Sequence, residues 1–431
     1  MKLSTQPYKG ARDFYPADKQ LQNYIFSVWT KTALSFGYEQ YDAPIIEPVE
    51  LYLSKTSDEI VNEQTYSFED RGGRKVTLRP EMTPTVSRMV AAKRQELGYP
   101  LRLFSMPNVW RYERPQKGRL REHWQLNVDI FGVESLAAEH EIILLANQIM
   151  INFGAGPSSY KIRLNSRDLV NYILADYLKI DQALIEQVVR LVDKKDKMAL
   201  PAFDDSLTQL LGNNQTTVTR LIEILNTNNL TDLPTEVKNQ PAALKLANLT
   251  KMLESSGVAS LVFDPALMRG FDYYTDIVFE IFDVSLENNR SLFGGGRYDG
   301  LVGSFGVEPL ATVGFGMGDV TILDFLTTHQ LLPQLPSLVD VCVVIVGDEQ
   351  LYSEAFATIR QLRESGLNVA VDFSPRKVDK KISVARKKGY QKLIFIGREE
   401  LTSEQYKLKD LSSGQEQTLN LSELIAVLHQ Q

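Results

Sequence analysis

Cysteine is almost missing from this chain. Its 431 residues include one, Cys342, which excludes an internal disulfide and any multi-cysteine zinc centre. The four histidines, His123, His140, His329 and His429, are scattered, with no metal-ligand spacing. No run of about 20 apolar residues occurs, so no membrane span is expected. The opening MKLSTQPYKGARDFYP lacks an apolar signal core, which makes a cytoplasmic protein the expectation. Short-period repeats, low-complexity tracts and the G-x-G-x-x-G dinucleotide fingerprint are absent too. Net positive charge is also lacking. The formal charge is -7, which argues against wholesale coating of a polyanion but leaves room for a local basic site.

What is present is the composition of a soluble globular protein, 43% hydrophobic and 23% charged. At about 150 residues per domain, the length predicts two or three units. Leu21, Tyr24, Ile25, Val28 and Trp29 fall at helical spacing and predict an amphipathic helix over 19–36. YEQYDAPIIEP follows, and Pro44 and Pro48 suit a strand at an edge or interface. RKVTLRPEM reads as a strand. TPTVSRMVAAKRQ reads as a helix capped by Thr83, with Pro84 at its first position. LRLFSMPNVWRYER and HWQLNVDIFG predict an antiparallel hairpin with a long, polar, glycine-containing connection. From about 167 to 256 the pattern is mostly helical and reads as an insertion, with QALIEQVVRLV and VTRLIEILN as its clearest stripes. Strand texture then returns. A proline-containing linker is expected over 331–338. From 339 to 431 the order is strand–helix–strand–helix–strand, which predicts a small α/β domain with a mostly parallel sheet.

Five clusters could carry chemistry. RYERPQKGRLREHWQLNVD holds Arg111, Arg114, Lys117, Arg119 and Arg121. Guanidinium groups pair with phosphate through two parallel bonds, so several on one hairpin suit a polyphosphate; a solvated charged turn is the bland alternative. Strand alternation places Arg111 with Glu113, and Gln125 with Asp129, so the paired strands would present all four on one floor. LRPEMTP offers Glu81 and Thr83, a carboxylate and a hydroxyl able to hold an ammonium group. RGFDYYTDIVFE brings Arg269, Tyr273 and Tyr274 before an apolar strand. FGGGRYDGLV and VGFGMGDVT are glycine-rich, which allows close backbone approach to a ligand or simple packing.

In order and spacing these clusters resemble the histidyl-tRNA synthetases, a family of class II aminoacyl-tRNA synthetases, over nearly the whole chain. FGYEQYDAPIIEP is similar to motif 1 and RYERPQKGRLREHWQ to motif 2, while RGFDYY and GGGRYDGLV resemble the two histidine-specific signatures. The resemblance implies an α+β catalytic domain over 1–330, an antiparallel sheet flanked by helices and carrying the insertion, then an anticodon-binding domain. It implies a homodimer that activates L-histidine with ATP and transfers it to tRNA(His), with Mg2+ bound mainly through the ATP phosphates and no metal held by protein groups alone.

Carried over position by position, Arg111 would hold the α-phosphate, Glu113 would face adenine, and Arg119 the outer phosphates. Glu81, Thr83 and Gln125 would hold the histidine ammonium. Asp129 and Tyr274 would bond the imidazole nitrogens, with Tyr273 in the same pocket and Tyr298 closing it. Arg269 would polarise the α-phosphate and carboxylate in place of a metal. Gln116 would lie near the acceptor end. Lys380, Lys381, Lys387 and Lys388, in RKVDKKISVARKKGYQK, would meet tRNA phosphates, although a solvated face is the usual fate of a charge run. Two positions depart from the family. Thr321 stands where the third motif carries an arginine toward ATP, and His123, beside Trp124, stands where an aromatic ring stacks on adenine. A non-catalytic paralogue, such as the regulatory subunit of ATP phosphoribosyltransferase, is the alternative; a purely RNA-binding protein of this fold is a second.

Overall fold

The computed structural model describes residues 3–53, 64–195, 198–212, 214–268, 273–288 and 290–430. It divides into two compact units, Met1–Leu332 and Pro333–Gln431. Arg269 lies outside the described residues.

The first unit opens with α1 (Pro16–Ser35), which begins earlier than its apolar spacing suggests because Pro16 pre-sets the first turn. Two short strands follow, β1 (Glu39–Gln40) and β2 (Ile46–Pro48), then α2 (Glu50–Leu53), β3 (Tyr66–Glu69) and β4 (Lys75–Leu78). Next come α3 (Thr83–Ala92), β5 (Leu101–Ser105), β6 (Asn108–Trp110), β7 (Glu122–Phe131), α4 (Ala137–Asn152) and β8 (Tyr160–Ser166). Strands β9 (Leu261–Phe263), β10 (Ile277–Asp283), β11 (Ser291–Arg297) and β12 (Thr312–Gly318) complete the sheet, and α5 (Asp319–Thr328) ends the unit.

The large sheet has nine strands in the order β1-β5-β7-β12-β11-β10-β8-β9, with β6 on β7. It is mixed rather than antiparallel throughout, since β1–β5 and β8–β9 pair in parallel at its two edges. Strands β2, β4 and β3 form a separate small sheet. Thr83 is the first residue of α3 and not its cap; Met82 holds that position and makes no side-chain cap bond.

Alternation on the central strands sorts the residues into two faces. Leu126, Val128 and Ile130 of β7 and Val313, Phe315 and Met317 of β12 join one apolar core with Ile142, Ile143 and Ile149 of α4 and Ile25 and Trp29 of α1. The opposite face of β7 carries His123, Gln125, Asn127 and Asp129. The described residues between 167 and 255 are mostly helical, as in Gln182–Val192 and Gln215–Leu225, which are capped by Asp181 and Asn214. Their buried stripes, such as Ile185, Val188 and Val192, pack into the same core.

The second unit holds β13 (Val341–Ile345), α6 (Glu349–Glu364), β14 (Val369–Asp372), α7 (Val378–Lys387), β15 (Lys392–Ile396), β16 (Tyr406–Asp410) and β17 (Glu416–Leu419). Its sheet is mixed, where the element order predicts a mostly parallel one. β14, β13 and β15 are parallel, but β16 returns antiparallel to β15 and β17 to β16. The chain between β15 and β16 is too short for a crossover, which takes roughly a dozen residues or more. The basic helix α7 also departs from the sequence reading at one position. Lys381 is buried, and its Nζ donates to the carbonyls of Ile345 at 2.8 Å and Asp372 at 3.3 Å. It stitches strand ends together and is not presented to a polyanion. Lys380, Lys387 and Lys388 are exposed.

Candidate active site

The site lies on the polar face of β7, and the glycines of its neighbours make room for it. Asp129 pairs in register with Gly314, and Gln125 leans over Gly316. A Cβ on Gly314 would lie 2.1 Å from Asp129 Oδ1 and 2.7 Å from the Val128 carbonyl. One on Gly316 would lie 1.8 Å from Gln125 Nε2, and one on Gly296 would crowd the Tyr274 ring at 3.0 Å. The glycine stretches thus serve close approach, but the groups that approach are protein side chains laid flat on the sheet. Gly314→Ala should therefore shift Asp129. The expected result is a loss of about 1–3 kcal/mol of stability, read by melting, together with at least tenfold weaker binding of any ligand whose donor meets Asp129 Oδ2, read by titration.

Around this floor the cavity is lined by Glu81, Thr83, Arg111, Gln125, Asn127, Tyr273, Tyr274 and Tyr298. Buried Arg79 fixes the segment before Glu81 by donating to the carbonyls of Asn108 at 2.9 Å and Ala43 at 2.7 Å. Arg111 is aimed by its Nε, which donates to the Pro80 carbonyl at 2.8 Å. Tyr273 donates to Glu81 Oε2 at 3.2 Å. The Tyr273 ring lies 4.9 Å from that of Tyr274 and 5.6 Å from that of Tyr298, forming an aromatic wall.

Two buried acceptors, Asp129 Oδ2 and Gln125 Oε1, have no hydrogen-bond partner among the described residues. Such atoms are costly unless a ligand donor meets them. Tyr298 donates to the other oxygen of Asp129, so it orients the carboxylate as well as walling the pocket. Burial pushes the Asp129 carboxyl up to about 7, against a smaller lowering by that bond. Burial and the neighbouring carboxylate raise the Tyr298 phenol well above its usual range, which keeps it a donor.

The arginine hairpin is tighter than its sequence suggests. Arg111 N donates to Arg121 O at 2.8 Å, and Gln116 and Arg119 exchange both backbone bonds around a Lys117–Gly118 tip. Arg111 and Glu113 fall just past the end of β6 and not on a strand. Glu113 sits between two guanidiniums, 4.0 Å from Arg111 and 3.6 Å from Arg119. Gln116 is exposed at the turn.

His123 shares the polar face with Gln125, whereas Trp124 points to the other side. There it meets Phe14 edge-on at 5.2 Å, under the Arg12 guanidinium, while Arg12 pairs with buried Asp319 at 2.7 Å. Asp319 also accepts from Trp124 N at 3.0 Å. Of the two rings, only His123 is on the face of β7 that carries Gln125. Burial first, then the charges of Arg111 and Arg12, lower its pKa to about 3, so the imidazole is neutral at physiological pH. Thr321 is spent on structure: its hydroxyl donates toward the carbonyls of Leu292 at 2.9 Å and Gly318 at 3.1 Å. It offers no cation to a nucleotide.

Sequence reasoning missed Asn127, although strand alternation from Gln125 would have found it. It also missed Arg297, whose guanidinium forks onto buried Glu139 at 2.6 and 2.7 Å and so anchors the strand end before Tyr298. No spacing signals a pair so distant in sequence.

The sheet thus brings Arg111, from the turn beyond β6, to a glycine-floored pocket. Solved structures agree on the fold. The histidyl-tRNA synthetase from Nostoc superposes with a TM-score of 0.83 at 23% identity, covering all of both chains. A Bacillus halodurans protein described as an ATP phosphoribosyltransferase regulatory subunit/histidyl-tRNA synthetase superposes at 0.75 and 24% identity, over 92% of this chain and 99% of that one. Fold alone thus does not separate the two readings, but sequence does. The family profile "Histidyl-tRNA synthetase" matches residues 10–319 and "Anticodon binding domain" matches 340–431. The histidine–tRNA ligase of Leptospira biflexa is 44% identical over 98% of this chain and 97% of its own length. That of Thermoplasma volcanium is 36% identical over 99% of both. The chain belongs to the histidyl-tRNA synthetase family.

Proposed function

We propose that the chain activates L-histidine with MgATP to histidyl-adenylate and transfers the histidine to the 3′ end of tRNA(His). The observation that carries the reading is the unpartnered oxygen of Asp129, whose other oxygen is held by Tyr298, a wall of the pocket that Glu81, Thr83, Arg111 and Gln125 also line. Asp129 accepts from one imidazole nitrogen and Tyr274 bonds the other, so a ring with polar atoms on both sides is selected. Glu81, Thr83 and Gln125 hold the ammonium. Arg111 neutralises charge on the α-phosphate as the histidine carboxylate attacks it and pyrophosphate leaves; such charge-assisted bonds contribute about 1.5–3 kcal/mol each. Arg269 is assigned to the same phosphate by resemblance. Glu113 meets the adenine amino group, neutral His123 stacks on the base, and Arg119 faces the outer phosphates. Magnesium arrives with ATP as part of the substrate. Among the described residues no group of three or more His, Cys, Asp or Glu side chains could hold it alone.

Gln116, exposed at the hairpin tip, meets the acceptor end. The exposed lysines Lys380, Lys387 and Lys388 meet tRNA phosphates. Replacing these three by Ala should weaken tRNA binding and lower its salt slope by about 0.9 for each phosphate no longer neutralised, while histidine activation is unchanged; an unaltered slope would return them to a solvated face. A second copy of the chain is the expected partner. The small sheet supports this, since Ile46 and Phe68 on its strands and nearby Leu53 are exposed. No described helix is long and apolar enough to cross a membrane. Charging with each of the twenty amino acids tests the reading: histidine alone should accumulate on tRNA(His), and equal charging by another amino acid would overturn it.

A further inference from the structure

The arginine hairpin is docked by a residue that no motif singles out. Arg290 precedes β11, and its Nη1 donates to the Lys117 carbonyl at the hairpin tip at 2.8 Å. A side chain at the next residue would have to displace the Arg290 guanidinium. A Cβ on Gly118 would lie 1.6 Å from Arg290 Nη1, and Gly118 has φ +72°. On the other side Arg290 faces Asp324 of α5 at 3.8 Å, too long for a tight pair. Its side chain is 31% exposed. A guanidinium carries several N–H donors, and among the described residues the Lys117 carbonyl takes only one of them. Asp324 Oδ2 is buried and has no hydrogen-bond partner among the described residues.

Position along α5 gives the cluster its meaning. Thr321 and Asp324 are three apart and share a face of the helix, one turn from each other. Thr321 itself is bonded to Leu292 O, two residues beyond Arg290 in the chain. Position 321 is thus joined to the start of the strand that Arg290 precedes. Arg290 and Lys117 are the two cations whose charges act on Asp324, and Arg119, two residues beyond Lys117 in the hairpin, faces Glu113 at 3.6 Å. Asp324 offers them one loosely held carboxylate. An excess of guanidinium and ammonium groups with donors to spare suits a polyanion better than a structural pair.

We infer that Arg290 supplies a guanidinium to the outer phosphates of ATP, held ready by the Lys117 carbonyl and Asp324, in a site where Thr321 has no charge to give. The inference rests on the functional reading above, but it concerns phosphates and not histidine.

Equilibrium binding of MgATP and of adenosine to the full-length protein tests it, with wild type, Arg290→Ala, Arg290→Lys and the double variant Arg290→Ala/Thr321→Arg. Arg290→Ala should weaken ATP at least tenfold and adenosine by less than about twofold, because adenosine carries no phosphate. Arg290→Lys should recover part of the loss, since it keeps the charge but not the fork. The guanidinium supplied from α5 in the double variant should also recover affinity. Equal weakening of ATP and adenosine would reduce Arg290 to a structural latch and overturn the inference, as would unchanged ATP binding. Failure of the wild type to bind ATP at all would instead bring down the functional reading along with it.

Discussion

Asp129→Asn should weaken histidine binding at least a hundredfold and, at pH 8, raise the stability of the free protein. In the unfolded chain this carboxyl ionises near 3.8, and in the folded, unliganded protein near 7, because burial disfavours the charge. Between those values the folded state keeps a proton that the unfolded state has lost. The stability carried by that proton is complete below the unfolded value and is lost as pH rises through 7. At pH 8 the wild type therefore holds an uncompensated buried charge worth on the order of 4 kcal/mol at most. Asparagine cannot ionise, so the variant should melt several degrees higher than wild type at pH 8 and lose that advantage at pH 4. The Tyr298 bond to Oδ1 survives the substitution, so the pocket keeps its shape. Histidine affinity should nonetheless fall at least a hundredfold, as the carboxylate that meets the imidazole N–H is gone. Melting at both pH values, paired with histidine titration, reads the two effects separately. A variant less stable than wild type at pH 8 would contradict the assignment of Asp129 as a strained, ligand-seeking charge.

Arg111→Ala should lower adenylate formation about 10²–10³-fold, the usual cost of removing one preorganised group aimed at developing charge. Histidine affinity should change far less, because Glu81, Gln125 and Asp129 remain. The fold should persist too, since the substitution removes one bond to the Pro80 carbonyl at the rim of the site. Lysine should rescue poorly. A point charge on a flexible stem cannot reproduce a fork whose Nε is already committed to aiming the group. Single-turnover adenylate formation with saturating histidine is the measurement. An unchanged rate would remove Arg111 from the phosphate.

Much of this site is legible in the chain because it is written along strands. Alternation alone places Gln125 and Asp129 on one face, and the same rule extends to His123 and Asn127. The rule also separates two adjacent rings: His123 shares the face of Gln125, while Trp124 is one residue out of phase and packs on Phe14. The helical stripes of 182–192 and 215–225 are readable for a similar reason, since burial of Ile185, Val188 and Val192 follows helical spacing. What cannot be read are contacts without a period. In the sequence Lys381 is one more cation in a basic run; in the fold its ammonium caps the Ile345 and Asp372 carbonyls. The Arg297–Glu139 and Arg12–Asp319 pairs join residues far apart in sequence, and nothing local marks them. The mixed second sheet escapes the sequence pattern because strand order predicts parallel pairing only where a connection is long enough to cross over. The glycine stretches signal close approach, but their partners are the side chains of Gln125 and Asp129, a fact that only register supplies.

Histidine-dependent exchange of pyrophosphate into ATP tests the central claim most directly. With pure, folded protein and MgATP, exchange should appear on adding L-histidine and with no other amino acid, and it should fall about 10²–10³-fold in Arg111→Ala and at least a hundredfold at subsaturating histidine in Asp129→Asn. A wild-type protein that binds histidine yet shows no exchange would contradict the account and leave a histidine-binding regulator on a synthetase fold.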